Sequence, residues 1–468
     1  MKFFSLFALV CSPVSTLLSS NIPEHARGGK LFSDLLSTEA LEPRVGNSTV
    51  NYFSQLIDHN QPAKGHFMQR FYVDTTHWEP KSGPVLMYIG GEGTLGGTPG
   101  GAVSWMAANL SALIVALEHR YYGESLPAPL TDRETLNTLS VDSAIADLAA
   151  FIADFKVSFL NGREHTWVSV GGSYPGALSA WFREKHPEHV SASWSSSGVV
   201  NAVYDYSDFA KQIATDVSAY PGCEDSLKAV TTAFEQKWDS SNPQDRVALR
   251  KLFNTPDYFS KADMAWMLAD SAAMGCQYGG KAKLCKAVDG AAEPLEQFAR
   301  YTKEQYGPNF GASCYYSTKC LSDPSMSKDW PGGNYAWVFQ CCTQLAYWNT
   351  AYPGSIRSQL LTVDYFDQQC QAAFGTAPSQ ASIDGFNSRY GGATPNTTNV
   401  IALNGGDDPW RGAAVQHALS EKYPENTAVC DGCGHCGDLS GPGPTTAPAI
   451  ATQHTLISEY LNAWVGKP

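Results

Sequence analysis

The segment Gly171-Gly172-Ser173-Tyr174-Pro175-Gly176 constrains this chain more than any other. It lies between an apolar, strand-like run (Trp167–Val170) and a stretch with helical patterning (residues 176–186). A strand that becomes a helix within a few residues leaves room for only small side chains at the bend. The flanking chains approach closely there, and the serine backbone is strained. Pro175 stands where a further glycine would be usual. Proline suits the first turn of a helix, where its missing N–H costs nothing. Such a turn lifts the Ser173 hydroxyl onto a helix N-terminus, which is the setting of a nucleophile elbow. The competing reading is a plain tight turn.

The neighbouring segments repeat the alternation. Phe67–Val73, Val85–Ile89, Leu113–Leu117 and Val190–Trp194 read as strands. Val141, Ile145, Leu148, Ile152 and Phe155 fall on one face of a helix of about four turns. Strands alternating with helices predict an α/β fold with a parallel sheet. After about residue 200 the pattern changes, and helical stretches at Ala229–Lys237 and Lys261–Ala273 predict an inserted, mostly helical cap. The α/β pattern returns at Val400–Leu403, and a helix over Thr455–Trp464 closes the chain. The expected division is a core in two parts, residues 46–204 and 366–468, with the cap at 205–365. Residues 21–45 read as a propeptide or N-terminal arm.

Residues 1–20 have the form of a signal peptide: Lys2, the apolar run Phe3–Val10, then small residues up to Ser20. That run is too short to span a bilayer, and no later stretch is apolar for long enough, so no membrane insertion is expected. A net charge of −13 lacks the basic footprint of nucleic-acid binding. Hydrophobic residues at 43% against 16% charged describe a packed globular chain, not a disordered one. Asn47, Asn109 and Asn396 open glycosylation sequons. Of twelve cysteines, Cys11 lies in the leader, and the other eleven follow residue 220. In an oxidising compartment these form disulfides, the odd number leaving one over. The expected location is outside the cell or in an endosomal, lysosomal or vacuolar lumen. A homodimer is an open option.

A serine hydroxyl needs a base. Asp408 follows a buried strand, and His435 lies beyond it in Cys433-Gly434-His435-Cys436-Gly437-Asp438, which gives the chain order serine, acid, histidine. Asp407 competes for the acid role, and Asp438 does so more weakly. Zinc ligation by Cys430, Cys433, His435 and Cys436 is a rival reading of this loop. Against it, the cysteines sit on one short loop with no second ligand pair, and disulfides explain them better. Neither metal nor cofactor is expected. The Tyr174 N–H and one from Gly91, in the loop Gly90-Gly91-Glu92-Gly93 after an earlier strand, are placed to form an oxyanion hole. The Glu92 carboxylate could meet a substrate's free α-amine or could be a solvated loop acid.

Three segments carry a family resemblance: Glu118-His119-Arg120-Tyr121-Tyr122-Gly123-Glu124-Ser125, the elbow running into Ala180-Trp181-Phe182-Arg183, and Asn404-Gly405 with Asp408-Pro409-Trp410. Together they resemble the S28 serine peptidases, which include Pro-X carboxypeptidase, dipeptidyl peptidase 2 and thymus-specific serine protease. The Gly-Gly-Glu-Gly loop, Pro175 and the His435-Cys436 pair are most similar to the last branch. The resemblance implies an α/β-hydrolase core with a helical cap over the site, and acyl-enzyme chemistry on peptides, commonly beside proline. It implies Ser173, Asp408 and His435 as the triad, and Trp410 beside a proline-accepting pocket. Phe339-Gln340-Cys341-Cys342-Thr343 resembles a family Cys-Thr-Glu element, whose glutamate is replaced here by Gln344, a candidate substrate contact. The expected function is a serine exopeptidase acting after proline or small residues. An esterase or lipase on the same fold and an inactive binding protein are the alternatives.

Overall fold

The structure, a computed structural model, describes residues 48–323, 326 and 334–466. The expected signal peptide, the 21–45 arm and Asn47 lie outside the described residues. Ten strands are present among them: β1 (Thr49–Leu56), β2 (His66–Asp74), β3 (Val85–Ile89), β4 (Leu113–Leu117), β5 (Trp167–Gly172), β6 (Ala192–Ser196), β7 (Val203–Asp205), β8 (Ala346–Trp348), β9 (Val400–Gly405) and β10 (Glu425–Ala428). Eight of them form one sheet in the order β1-β2-β4-β3-β5-β6-β9-β10. The β1–β2 and β2–β4 pairs are antiparallel, and every pair from β4 to β10 is parallel. Strands β3, β4, β5, β6 and β9 are buried along their whole length, as expected of parallel strands covered on both faces.

Helices α1 (Gly101–Leu110), α2 (Val141–Ser158) and α3 (Tyr174–Lys185) belong to the crossovers of this sheet. The Ser140 side chain caps α2 by accepting the Ser143 N–H, and the apolar face read from the sequence is the face it buries. The strand expected at Val190 starts at Ala192 instead, because the Val190 N–H is still bonded to the His186 carbonyl at the end of α3. Arg120, fully buried, holds the loop after β4. Its five donors meet Asp147 twice and the carbonyls of Leu56, Ile57 and Thr138. A buried guanidinium is tolerable only when every N–H is used in this way.

Between β6 and β9 the described residues are mostly helical: α4 (Ser207–Ser218), α5 (Cys223–Asp239), α6 (Pro243–Phe253), α7 (Lys261–Gln277), α8 (Lys281–Val288), α9 (Pro294–Tyr306), α10 (Asn334–Gln340), α11 (Val363–Phe374) and α12 (Gln380–Tyr390). Strands β7 and β8 pair with each other outside the main sheet. Disulfides join Cys223 to Cys285, Cys314 to Cys320, Cys342 to Cys370 and Cys430 to Cys433, while Cys276 and Cys341 are buried thiols. The last helix, α13 (Pro448–Val465), packs on α1 and the β6–β9–β10 side of the sheet. This topology is an α/β-hydrolase core with a helical insertion.

Candidate active site

Ser173 sits between β5 and α3 with φ 64° and ψ −129°, a conformation side chains disfavour. Close packing holds it there. A Cβ on Gly171 would stand 2.2 Å from the Pro175 carbonyl oxygen, and one on Gly176 would stand 2.6 Å from that of Ser196. The Ser173 N–H donates to the Ser196 carbonyl at 2.9 Å, which pins the turn to the end of β6.

Asp408 and His435 meet beside the same strand end. His435 Nδ1 lies 2.7 Å from Asp408 Oδ2, and both side chains are fully buried. The other Asp408 oxygen accepts the Trp410 N–H at 2.9 Å, so the carboxylate cannot rotate away. A carboxylate accepts, so Nδ1 carries the proton and Nε2 is the bare nitrogen. That Nε2 is buried without a hydrogen-bond partner among the described residues. No hydrogen bond joins it to Ser173 Oγ among them. Catalytic contacts are often long in the absence of substrate and tighten on binding.

The adjacent acid is committed elsewhere. Asp407 Oδ1 lies 2.8 Å from Lys281 Nζ, and its Oδ2 accepts the Gly432 N–H at 2.7 Å. Asp438 serves a third purpose. It accepts from Trp194 Nε1 at 2.7 Å and from the Ser196 hydroxyl. The Cys436 N–H donates to Ser197 Oγ at 2.9 Å. Residues 196 and 197 thus tie the His435 loop to the strand end that holds Ser173. Burial pushes the Asp438 carboxyl up to about 6, against the pull of these two donors. The Cys430–Cys433 disulfide and the His435–Asp408 contact leave no zinc ligand set in this loop.

Glu92, on the loop after β3 with Gly91, is wholly buried, and neither carboxylate oxygen has a partner among the described residues. Burial drives its pKa well above the ordinary carboxylate range. Trp410 lines a cavity with Trp337, Tyr347, Trp348, Phe366, Asn349 and Gln369, and its Nε1 donates to Gln277 Oε1 at 3.0 Å. Gln344 is not brought here. Its side-chain oxygen accepts the Val141 N–H at 2.9 Å and so satisfies an orphan donor at the start of α2. Asn109 and Asn396 are exposed.

Two residues of the site were not assigned a role from the sequence, although Gln340 lies in the family-like segment 339–343. Gln277, the last residue of α7, accepts the His435 N–H on its carbonyl at 2.7 Å while its side chain holds Trp410. Gln340, at the end of α10, donates to the Tyr174 hydroxyl at 2.9 Å. Both come from the insertion, and pattern alone cannot say which helix end will meet a loop so far away in the chain.

The fold and this arrangement define an α/β-hydrolase built around an elbow serine and a buried histidine–carboxylate pair. The chain belongs to the serine carboxypeptidase S28 family, whose pattern it matches over residues 55–457. It is 33% identical to "Probable serine protease EDA2" of Arabidopsis thaliana over 88% of this chain and 85% of the relative. It is 28% identical to human thymus-specific serine protease over 90% and 87%, and 26% identical to bovine lysosomal Pro-X carboxypeptidase over 89% and 88%. It is a serine peptidase. Among the described residues no helix is long and apolar enough to cross a membrane.

Proposed function

We propose that this peptidase is an exopeptidase working through an acyl-enzyme, with Ser173 as nucleophile, His435 as base and Asp408 as orienting acid. Ser173 Oγ attacks the peptide carbonyl as His435 Nε2 takes its proton, and His435 returns that proton to the leaving amine. Water then repeats the sequence on the ester and regenerates Ser173. The Tyr174 and Gly91 N–H groups hold the oxyanion. The observation that carries this reading is the buried 2.7 Å contact between His435 Nδ1 and Asp408, which fixes the tautomer that leaves Nε2 free to accept.

The aromatic cavity beside Trp410 suits a proline ring or a small apolar side chain, and a substrate's terminal ammonium is the group whose positive charge would favour the ionised form of buried Glu92. The second point favours cleavage near the N-terminus. Residues 205–365 act as a cap that limits how much chain can enter. Four disulfides and two exposed sequons among the described residues support a secretory or lysosomal lumen.

The test uses three matched proline-containing peptides, one with free termini and one blocked at each end, with Ser173→Ala as control. Loss of cleavage on blocking the N-terminus alone marks a dipeptidyl peptidase, and loss on blocking the C-terminus alone marks a carboxypeptidase. Cleavage of all three, or none above the Ser173→Ala control, overturns the exopeptidase reading.

A further inference from the structure

The Tyr174 side chain is held by a chain of hydrogen bonds that begins in the core and ends in the insertion. His119 Nδ1 lies 2.8 Å from the Arg120 carbonyl oxygen, and its Nε2 lies 3.1 Å from the Tyr174 hydroxyl. Gln340 Nε2 reaches that hydroxyl at 2.9 Å, and Gln340 Oε1 accepts from Tyr122. All four side chains are buried.

One proton arrangement satisfies every contact. A carbonyl only accepts, so Nδ1 of His119 carries its hydrogen. Burial lowers the His119 pKa to about 4, so the ring is neutral above that pH and Nε2 is bare. The Tyr174 O–H must then donate to Nε2, which leaves its oxygen to accept from the Gln340 amide. The Gln340 carbonyl takes the Tyr122 proton. Reversing the Gln340 amide would turn an oxygen toward Tyr174 and take its proton from His119, so one buried bond would be lost. Trp337, one helical turn before Gln340, packs against the Tyr174 ring at 5.7 Å, so α10 grips this residue by two side chains.

From this network we infer that Gln340 is a positioning residue, through which the insertion sets the backbone N–H of Tyr174 for the oxyanion. The inference rests on the proposed role of Tyr174 in the oxyanion hole. Residues 173 and 174 share the strained turn, so a free Tyr174 side chain lets the N–H at its base drift. Only a seated insertion completes the network. Seating of the insertion on the core and the set of the elbow are therefore coupled.

The experiment compares wild type with Gln340→Met, Tyr174→Phe and the double variant. It measures kcat and KM on a peptide substrate and affinity for a peptide boronate that forms a tetrahedral adduct. A misplacement of this kind costs roughly tenfold to hundredfold in rate. The expected result is a fall in kcat of that size for each single variant with KM little changed. Boronate affinity should fall by the same factor, and the double variant should be no worse than the poorer single. A loss confined to KM, a boronate affinity that stays at the wild-type value, or independent, multiplying effects overturns the inference. Gln340→Glu, whose neutral acid keeps both a donor and an acceptor, guards against misfolding. It should hold most of the activity at pH 5, and loss equal to that of Gln340→Met there also overturns the inference. If Ser173→Ala retains activity, the assignment of Ser173 as nucleophile, on which the oxyanion role of Tyr174 rests, fails. If only the Gln340 effects are missing, that assignment stands and this inference alone falls.

Discussion

The turn that carries Ser173 and the loop that carries His435 flank the same end of β6, yet they are held by different physics. The turn is fixed by close approach of backbone, with no charged group within it: glycines at 171 and 176 and a proline at 175. The loop is fixed by three buried carboxylates, each with its own duty. Asp408 orients the imidazole, Asp407 meets Lys281 and the Gly432 N–H, and Asp438 bonds Trp194 and Ser196. The turn should therefore fail through added volume and be indifferent to charge, and the loop should fail the other way round.

The largest effects test the proposed chemistry on each side. Ser173→Ala should lower kcat on the order of a million-fold while leaving the melting temperature within a few degrees of wild type. Asp408→Asn should cost about ten-thousand-fold, because an amide offers its donor to Nδ1 and imposes the wrong tautomer. Asp407→Asn is the matched control one residue away. It should lower the melting temperature by leaving Lys281 without its buried partner, and it should change kcat far less. Equal losses of kcat from both aspartates would break the division of labour drawn here.

A smaller effect is expected from volume. Gly176→Ala puts a methyl group 2.6 Å from the Ser196 carbonyl oxygen and 3.0 Å from Gly198 Cα, so backbone must shift. Denaturant titration should register a loss of about 1–3 kcal/mol, with kcat also reduced as Ser173 moves. The loss should be the same at pH 5 and pH 8, since no charge is involved. A strong pH dependence would put a titrating group into the turn and end the contrast.

The same physics decides what could be read from the sequence. The turn was legible because backbone crowding dictates residue type at fixed spacing. The strands β3 and β4 were legible to the residue, because burial on both faces makes them continuous apolar runs bounded by loops. Asp408 and His435 were legible by their order after the serine. Choosing between Asp407 and Asp408 needed either family resemblance or geometry, since neighbouring acids look alike until their partners are known. The roles of Gln277 and Gln340 were not legible, although Gln340 lies in the family-like segment 339–343. Each acts from a helix end in the insertion, and its partners are chosen by three-dimensional docking. Gln344 shows the converse: it sits beside a family-like segment, yet it caps α2.

The smallest effect is the one that most sharpens the contrast, because it concerns pH alone. Asp216, on α4, is buried near Asp407 and Asp408, and one of its oxygens has no partner among the described residues. Burial raises its pKa to about 7, the Gln212 donor opposing that and Asp407 adding to it. This carboxyl binds its proton more tightly in the folded chain than in the unfolded one. Its contribution to stability is therefore complete below the ordinary carboxyl range, falls steadily as pH rises above that range, and is gone once pH passes about 7. His119 works in the opposite sense, since burial lowers it to about 4 and its contribution is lost only as pH falls below the ordinary imidazole range. Glu92 and Asp438 are shifted upward as well, so the Asp216 contribution is isolated by comparing wild type with Asp216→Asn, which cannot ionise, at each pH. The wild-type melting temperature should fall relative to that of Asp216→Asn by a few degrees between pH 5 and 7, and the difference should level off above pH 7. A difference that stays constant from pH 5 to 7 would show that Asp216 is ionised throughout that interval. The two sides of the site would then be held in more similar ways than their contacts imply.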